Sequence, residues 1–453
     1  MNKVEILQNV KKVHLIGIGG VSMSAIAIHL KDLGFVVSGS DKNNSLTLKR
    51  LKTLGIETFY GHSKENLKDD CVVIVSSAIS NDNPELEEAK KRGLTVFSRS
   101  EVLGEILKNY KKVIGVSGSH GKTTTTAMIG SVLDKAKVFS TVFLGGEYKD
   151  MVNYKKGSSD FAVVECCEYQ KNFLNIYHNY SVVLNVDNDH LDSYLDMQDM
   201  VKSFNSFCKD TLAFINIDDK YAQKLNLSNT VKFGTTKGAD FRALSLREKG
   251  GKYSFSVYYK NKRLTRIKLN VIGKHNVINA LSVFAVLYTL EIPANLIKEG
   301  LEEFTGAKRR MEILVSKGRK EIIFDYAHHP TEILATINAL KNTNDTLFVF
   351  QPHTYSRTKI LMNEFVQSFK DCKNLFIYKT YSAREKYMKL GSAKTLNERL
   401  LHNGINSKYY NSKQALLIDL FSYINNKCNR VVFLGAGNIY QIAKNFSKEM
   451  TKK

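Results

Sequence analysis

The run Gly118-Ser119-His120-Gly121-Lys122-Thr123-Thr124 has the residue types and spacing of a polyphosphate cradle. The glycines let backbone N–H groups close on phosphate oxygens, and the helix-like run that follows, Thr125–Leu133, adds the partial positive charge of its N-terminus. Lys122 can neutralise the β- and γ-phosphates, and Thr123 can place its hydroxyl on Mg²⁺. The glycine that usually opens such a loop is replaced by Val116, so this is a shortened G-x-x-G-K-T. A glycine turn with an incidental lysine is the competing reading. If the loop is a cradle, Lys122 should point at phosphate rather than into a core, and losing it should cost turnover but little stability.

Three other groups of residues could do chemistry. The turn Gly17-x-Gly19-Gly20-x-Ser22 suits either a nucleotide diphosphate or a tight strand-to-helix turn, with Ser22 in place of a third glycine. Asp41, about twenty positions on, could accept from a ribose or base donor, and Ser76 and Ser77 could reach the same ligand. Glu165 and His190 each follow a strand candidate. If those strands flank the one before Gly118, the two side chains meet at the phosphates and can hold Mg²⁺; otherwise they are a cap and a solvated loop residue. Arg309, Arg310, Asp325, His328, His329, His353 and Arg357 concentrate cationic and imidazole groups at strand ends in the last third of the chain. Such groups suit a transferring phosphoryl group and a carboxylate substrate.

The elements that must position these residues alternate between apolar strands and helical stretches. Val13–Ile18 and Phe35–Ser40 bracket a helix from about Ser22 to Leu33. Val113–Val116 precedes the phosphate loop; Ala162–Val164 and Ser181–Leu184 follow it. A more β-rich portion covers about 231–272, and strands at Ile322–Phe324, Leu347–Phe350, Leu375–Tyr378 and Val431–Leu434 build a third unit. The alternation implies parallel sheets wrapped by helices, with ligands beyond the carboxyl ends of the strands. The fold expected is therefore α/β in three domains: an N-terminal Rossmann-like domain at 1–108, a central P-loop ATPase-type α/β domain at 109–307, and a C-terminal Rossmann-like domain at 308–453.

The chain has 453 residues and a formal net charge of +22, with its lysines spread rather than clustered. That pattern argues against nucleic-acid binding and is compatible with drawing in anionic substrates. The six cysteines form no C-x-x-C pair, the N-terminus lacks the apolar core of a signal peptide, and no apolar stretch is long enough to span a bilayer. A cytoplasmic protein with reduced thiols and no membrane insertion is expected.

Seven ordered segments, His14–Ser24, Gly118–Thr124, Asn185–Asp192, Gly273–Ala280, Arg309–Glu312, Asp325–Pro330 and Gln351–Thr358, together resemble the Mur ligases. The first of them and Tyr326-Ala327-His328-His329-Pro330 resemble the branch that joins L-alanine to UDP-N-acetylmuramate. The resemblance implies ATP-driven amide formation through an acyl phosphate, in peptidoglycan precursor synthesis, by a monomer or weak homodimer. It implies that Gly17, Gly19, Gly20, Ser22, Asp41, Ser76 and Ser77 meet the UDP-sugar. It places Gly118 to Thr124 on ATP, with Lys122 at the β/γ-phosphates, Asn276 (with Asn279 a second candidate) at adenine, Arg310 at the phosphates and Asp325 at the ribose. Thr123 and Glu165 hold one Mg²⁺ and His190 a second. Tyr326, His328, His353 and Arg357 shape the side that receives alanine and the acyl phosphate.

Three positions depart from the family pattern: Cys167 replaces an acidic residue beside Glu165, Thr354 stands where many relatives carry arginine, and Ser22 replaces a glycine. The alternatives are a recycling ligase that adds a preformed peptide to the same UDP-sugar, a non-catalytic partner on the same scaffold, and, from the first glycine turn, an NAD-dependent dehydrogenase.

Overall fold

The computed structural model describes residues 5–8, 10–68, 70–148, 152–187, 193–340, 343–383 and 385–452. Three sheets follow one another along the chain. The first comprises β1 (Lys12–Ile16), β2 (Val36–Asp41), β3 (Glu57–Tyr60), β4 (Val72–Val75) and β5 (Val96–Ser98), all parallel, in the order β3-β2-β1-β4-β5. The chain first winds away from β1 through β2 and β3, then returns to its other side through β4. The carboxyl end of β1, where Gly17 begins its turn, is therefore the point at which an open sheet leaves a crevice.

The second sheet comprises β6 (Lys112–Ser117), β7 (Thr141–Phe143), β8 (Tyr154–Lys155), β9 (Phe161–Glu165), β10 (Tyr180–Val183), β11 (Leu212–Asn216), β12 (Thr230–Gly234), β13 (Phe241–Lys249), β14 (Lys252–Tyr259) and β15 (Lys262–Ile272). Its order is β15-β14-β13-β12-β11-β10-β6-β9-β7-β8. The phosphate-loop strand β6 thus lies between β10 and β9, in parallel register with both. Val113, Ile114, Val116, Val163, Val164, Val182 and Val183 are all fully buried, as expected where helices cover both faces.

The third sheet comprises β16 (Glu312–Lys317), β17 (Lys320–Asp325), β18 (Thr346–Phe350), β19 (Asn374–Tyr378), β20 (Ser407–Tyr410) and β21 (Arg430–Leu434). Its order is β16-β17-β21-β18-β19-β20, parallel except for the antiparallel edge strand β16. The tips of β17, β21 and β18 lie side by side, which gathers Asp325, Gly435 and Gln351 at one edge.

The residues fall into two compact units: Met1–Ser245 with Phe255–Ile267 and Ile278–Glu303, and Leu246–Ser254 with Lys268–Val277 and Phe304–Lys453. Inside the first unit, one continuous hydrophobic core runs from Leu7, Leu15 and Ile26 under the first sheet to Val113, Phe173 and Phe204 under the second. Polar contacts stitch the same seam. Asn153 Nδ2 donates to Ser24 Oγ at 2.8 Å, and Asn175 Nδ2 to Ser100 Oγ at 3.1 Å.

Candidate active site

The phosphate loop is built by strand β6, a left-handed glycine and a helix. Gly121 has φ 88° and caps the helix Lys122–Lys135, a conformation that a side chain would resist. A Cβ there would also lie 2.7 Å from Asn279 Oδ1, so Asn279 packs directly on the loop. The segment after β10 closes the other side. Asn185 accepts from His120 N at 2.8 Å and donates to His120 O at 3.0 Å. Ser119 and Asp187 exchange hydrogen bonds, and His120 Nε2 lies 3.0 Å from Asp187 Oδ2.

Lys122 is the most informative side chain. Its ammonium donates to Gly118 O at 2.5 Å and Ser119 O at 3.2 Å, and lies 3.1 and 2.9 Å from the two carboxylate oxygens of Glu168. Glu168 is fully buried and Lys122 only 11% exposed. Burial alone would push the ammonium toward its neutral form; the nearby Glu168 carboxylate outweighs this, and the pKa rises above the ordinary lysine value. In this structure Lys122 is therefore folded back over the loop as half of a buried ion pair.

Thr123 and Glu165 come together as the strand order requires. Thr123 Oγ1 donates to Glu165 Oε1 at 3.0 Å, and Gly145 N donates to Glu165 Oε2 at 2.8 Å. A Cβ on Gly145 would fall 2.5–2.6 Å from the Glu165 carboxyl, and one on Gly146 2.8 Å from Thr123. Asn185 and Asp187 lie in the segment Asn185–Asp192, whereas sequence reasoning missed these two glycines and Glu168 as site residues. The signal for Glu168 and the two glycines is position alone, just past the ends of β9 and β7. His190 lies outside the described residues. Cys166 and Cys167 are free thiols, and burial pushes the Cys167 thiol up to about 11, so it stays protonated beside the loop.

At the first glycine turn, Gly17 has φ 84°, and Gly17 N and Ile18 N donate to Ser40 O. Asp41 does more than wait for a ligand: its carboxylate accepts from Gly19 N at 3.0 Å and Asn43 N at 2.9 Å. A Cβ at Gly19 would touch it. Ser22 Oγ accepts from Arg99 Nη1 at 2.9 Å, which puts a guanidinium at the turn that sequence reasoning missed. Ser76 packs its Cβ near Gly17 and accepts from Ala78 N at 3.3 Å, and Ser77 is exposed.

In the second unit, Asp325 at the end of β17 accepts from Met311 N and Ala327 N, both at 2.8 Å. It is 6% exposed, and burial pushes its carboxyl up to about 6 despite the Arg310 guanidinium and these two donors. Arg310 stands over the Tyr326 ring at 5.0 Å and donates to Glu332 Oε1 at 3.4 Å. From there a row of rings continues: Tyr326 to His328 at 5.3 Å, His328 to His353 at 5.7 Å, and His353 stacked on Tyr381 at 5.5 Å. Arg357 lies in the first turn of the helix Tyr355–Ile360, and its charge acts on Tyr326. Asn276 is buried and donates to Ile272 O at 2.8 Å.

Residues 12–111 match the model described as the Mur ligase family catalytic domain, 116–287 the Mur ligase middle domain, and 309–442 the Mur ligase glutamate ligase domain. The chain belongs to the Mur ligase family. Among similar Mur ligases, the UDP-N-acetylmuramate–L-alanine ligase of Caldicellulosiruptor saccharolyticus is 43% identical over 94% of this chain and 96% of its own length. That of Clostridium acetobutylicum is 40% identical over 96% and 97%. The crystal structure of the UDP-N-acetylmuramate–alanine ligase MurC from Thermotoga maritima superposes with a TM-score of 0.83 at 29% identity, covering 97% of this chain and 99% of that one. The three-domain α/β architecture of this Mur ligase agrees with that structure.

Proposed function

We propose that the chain is an ATP-dependent ligase that joins the amine of L-alanine to the carboxylate of UDP-N-acetylmuramate, in peptidoglycan precursor synthesis. The observation that carries the reading is similarity along nearly the whole chain to ligases bearing that name, together with a phosphate loop closed by Glu165 and Glu168. The domain boundaries proposed are 108/109 and 307/308.

The muramyl carboxylate attacks the γ-phosphate, ADP departs, and the alanine amine displaces phosphate from the acyl phosphate through a tetrahedral intermediate. Little covalent chemistry falls to the protein; its work is positioning and charge neutralisation. Lys122 exchanges part of its contact with Glu168 and the loop carbonyls for phosphate oxygens. The Thr123 hydroxyl and the Glu165 carboxylate are hard oxygen donors of the kind Mg²⁺ takes, and Mg²⁺ would neutralise phosphate charge there. His190 is proposed for a second ion. Gly118 to Thr124, Asn276 and Asn279 would bind ATP, with Asp325 at the ribose and Arg310 at the phosphates. Gly17, Gly19, Gly20, Ser22, Asp41, Ser76 and Ser77 would meet the UDP-sugar; Tyr326, His328, His353 and Arg357 the alanine and acyl phosphate.

Among the described residues no helix is long and apolar enough to cross a membrane. A cytoplasmic monomer or weak homodimer is proposed. The test is ADP release from ATP by purified protein. Release should require UDP-N-acetylmuramate and L-alanine together; release supported by a preformed peptide but not by alanine would replace this reading with the recycling one.

A further inference from the structure

Thr354 holds a backbone conformation that almost only glycine adopts, φ 67° and ψ 148°. A threonine pays a steric cost there, and such strain persists only where the surroundings over-determine it. The surroundings are a strap that leaves the end of β19. Three residues past β19, Tyr381 accepts from Thr354 N at 2.9 Å through its carbonyl, donates from its own N to Pro352 O at 2.9 Å, and stacks its ring on His353. The strap then turns through Ser382 and Ala383, another non-glycine residue at positive φ (52°), and presents Glu385. One oxygen of Glu385 accepts from Tyr355 N at 2.6 Å and Ser356 N at 2.9 Å; the other accepts from the Ser356 hydroxyl. Farther along, Gly391 lies against Tyr355 so closely that a Cβ would overlap Tyr355 O.

We infer that Glu385 is a positioning residue for the amino-acid substrate: its carboxylate holds the strained Thr354 turn closed and so fixes His353 on one side and Arg357 on the other. The inference rests on the reading above that His353 and Arg357 face the alanine. The two amides it binds are consecutive and directly follow the residue whose conformation is costly. A charged acceptor is stronger than a neutral one, so a glutamine, which offers an amide oxygen and adds unwanted donors, holds the turn poorly.

The test is steady-state kinetics on E385Q, T354G and the double variant, with R357A as reference. E385Q should raise the KM for alanine about tenfold or more, the effect of losing one charge-assisted hydrogen-bond set. The KM values for ATP and UDP-N-acetylmuramate should stay within about twofold, since their proposed ligands lie elsewhere. Glycine at position 354 removes the strain that Glu385 opposes. The double variant should therefore recover most of the loss, bringing the alanine KM close to that of T354G alone. If E385Q melts early, E385D, which keeps the charge on a shorter arm, takes its place in the same cycle. An unchanged alanine KM in E385Q while R357A is impaired overturns the inference alone. A double variant as poor as E385Q also overturns it, and makes Glu385 a direct ligand of the substrate. An unchanged alanine KM in R357A removes the reading of the pocket and the inference with it.

Discussion

Lys122 and Glu168 form a buried ion pair, and the function proposed for Lys122 would give that one pair a part in both turnover and stability. Lys122→Ala should cut turnover about 10²–10³-fold, since one such electrostatic contact in a transition state is worth about 2.7–4 kcal/mol. It should also destabilise the first unit by about 3–5 kcal/mol, because the buried Glu168 carboxylate loses its ammonium. Urea denaturation of Lys122→Ala and of Lys122→Ala with Glu168→Gln decides the matter. The double change should restore much of the stability and none of the activity; equal stability of Lys122→Ala and the unaltered chain would refute the buried pair.

Asp325 gives a pH dependence. With its carboxyl pushed up to about 6, it is ionised above that pH and takes a proton below it. A protonated carboxyl is a poorer acceptor for a ribose hydroxyl, so kcat/KM for ATP should fall as pH drops through about 6. Asp325→Asn should be low throughout and lack that limb. A limb of the same position in both proteins would assign it elsewhere. Residues such as Lys122, Thr123 and Asp325 were legible in the sequence because a motif or a strand end marks them. Glu168, Arg99 and Glu385 were not, because each acts by reaching a partner 46, 77 or about 30 positions away, and only the folded chain sets that distance.

At the scale of elements, the decisive fact is that β6 lies between β9 and β10. That order was legible only as a condition: apolar runs identify strands, but no residue pattern says which parallel neighbours pair. Once it holds, Glu165 must arrive beside Thr123, and the segment after β10 must arrive beside His120. The less visible element is the turn after β7. Gly145 and Gly146 leave no side chain between that turn and the Thr123–Glu165 pair, and Gly145 donates its N–H to Glu165. Gly145→Ala should therefore push the carboxylate aside, reduce the rate and raise the Mg²⁺ concentration needed for half-maximal activity. Titrating Mg²⁺ at saturating ATP measures it. Because φ at Gly145 is not in the left-handed region, backbone strain would not produce the same effect, and an unaltered Mg²⁺ requirement would take Glu165 out of the metal site.

At the scale of the molecule, three sheets were legible, but the way they group was not. The first and second sheets share one core, with Ile26, Val102 and Leu107 in the same cluster as Val113, Phe173 and Phe204. Gly104 approaches the backbone of Asn175 too closely for any side chain, and His29 bonds Tyr154 at 2.9 Å across the same seam. A seam of this kind, apolar and closely packed, predicts that the two sheets unfold together rather than as separate domains. Ligand binding to the first sheet should then protect the second. At a UDP-N-acetylmuramate concentration of about 100 Kd, linkage stabilises the cooperative unit by about 2.7 kcal/mol, which slows exchange of its slowest amides about 100-fold. Hydrogen exchange followed by mass spectrometry should show that gain in β6 and β9 as fully as in β1 and β4. Protection confined to β1 and β4 would mean that the seam opens below the global unfolding energy, and that the phosphate loop is not mechanically tied to the glycine turn of the first sheet.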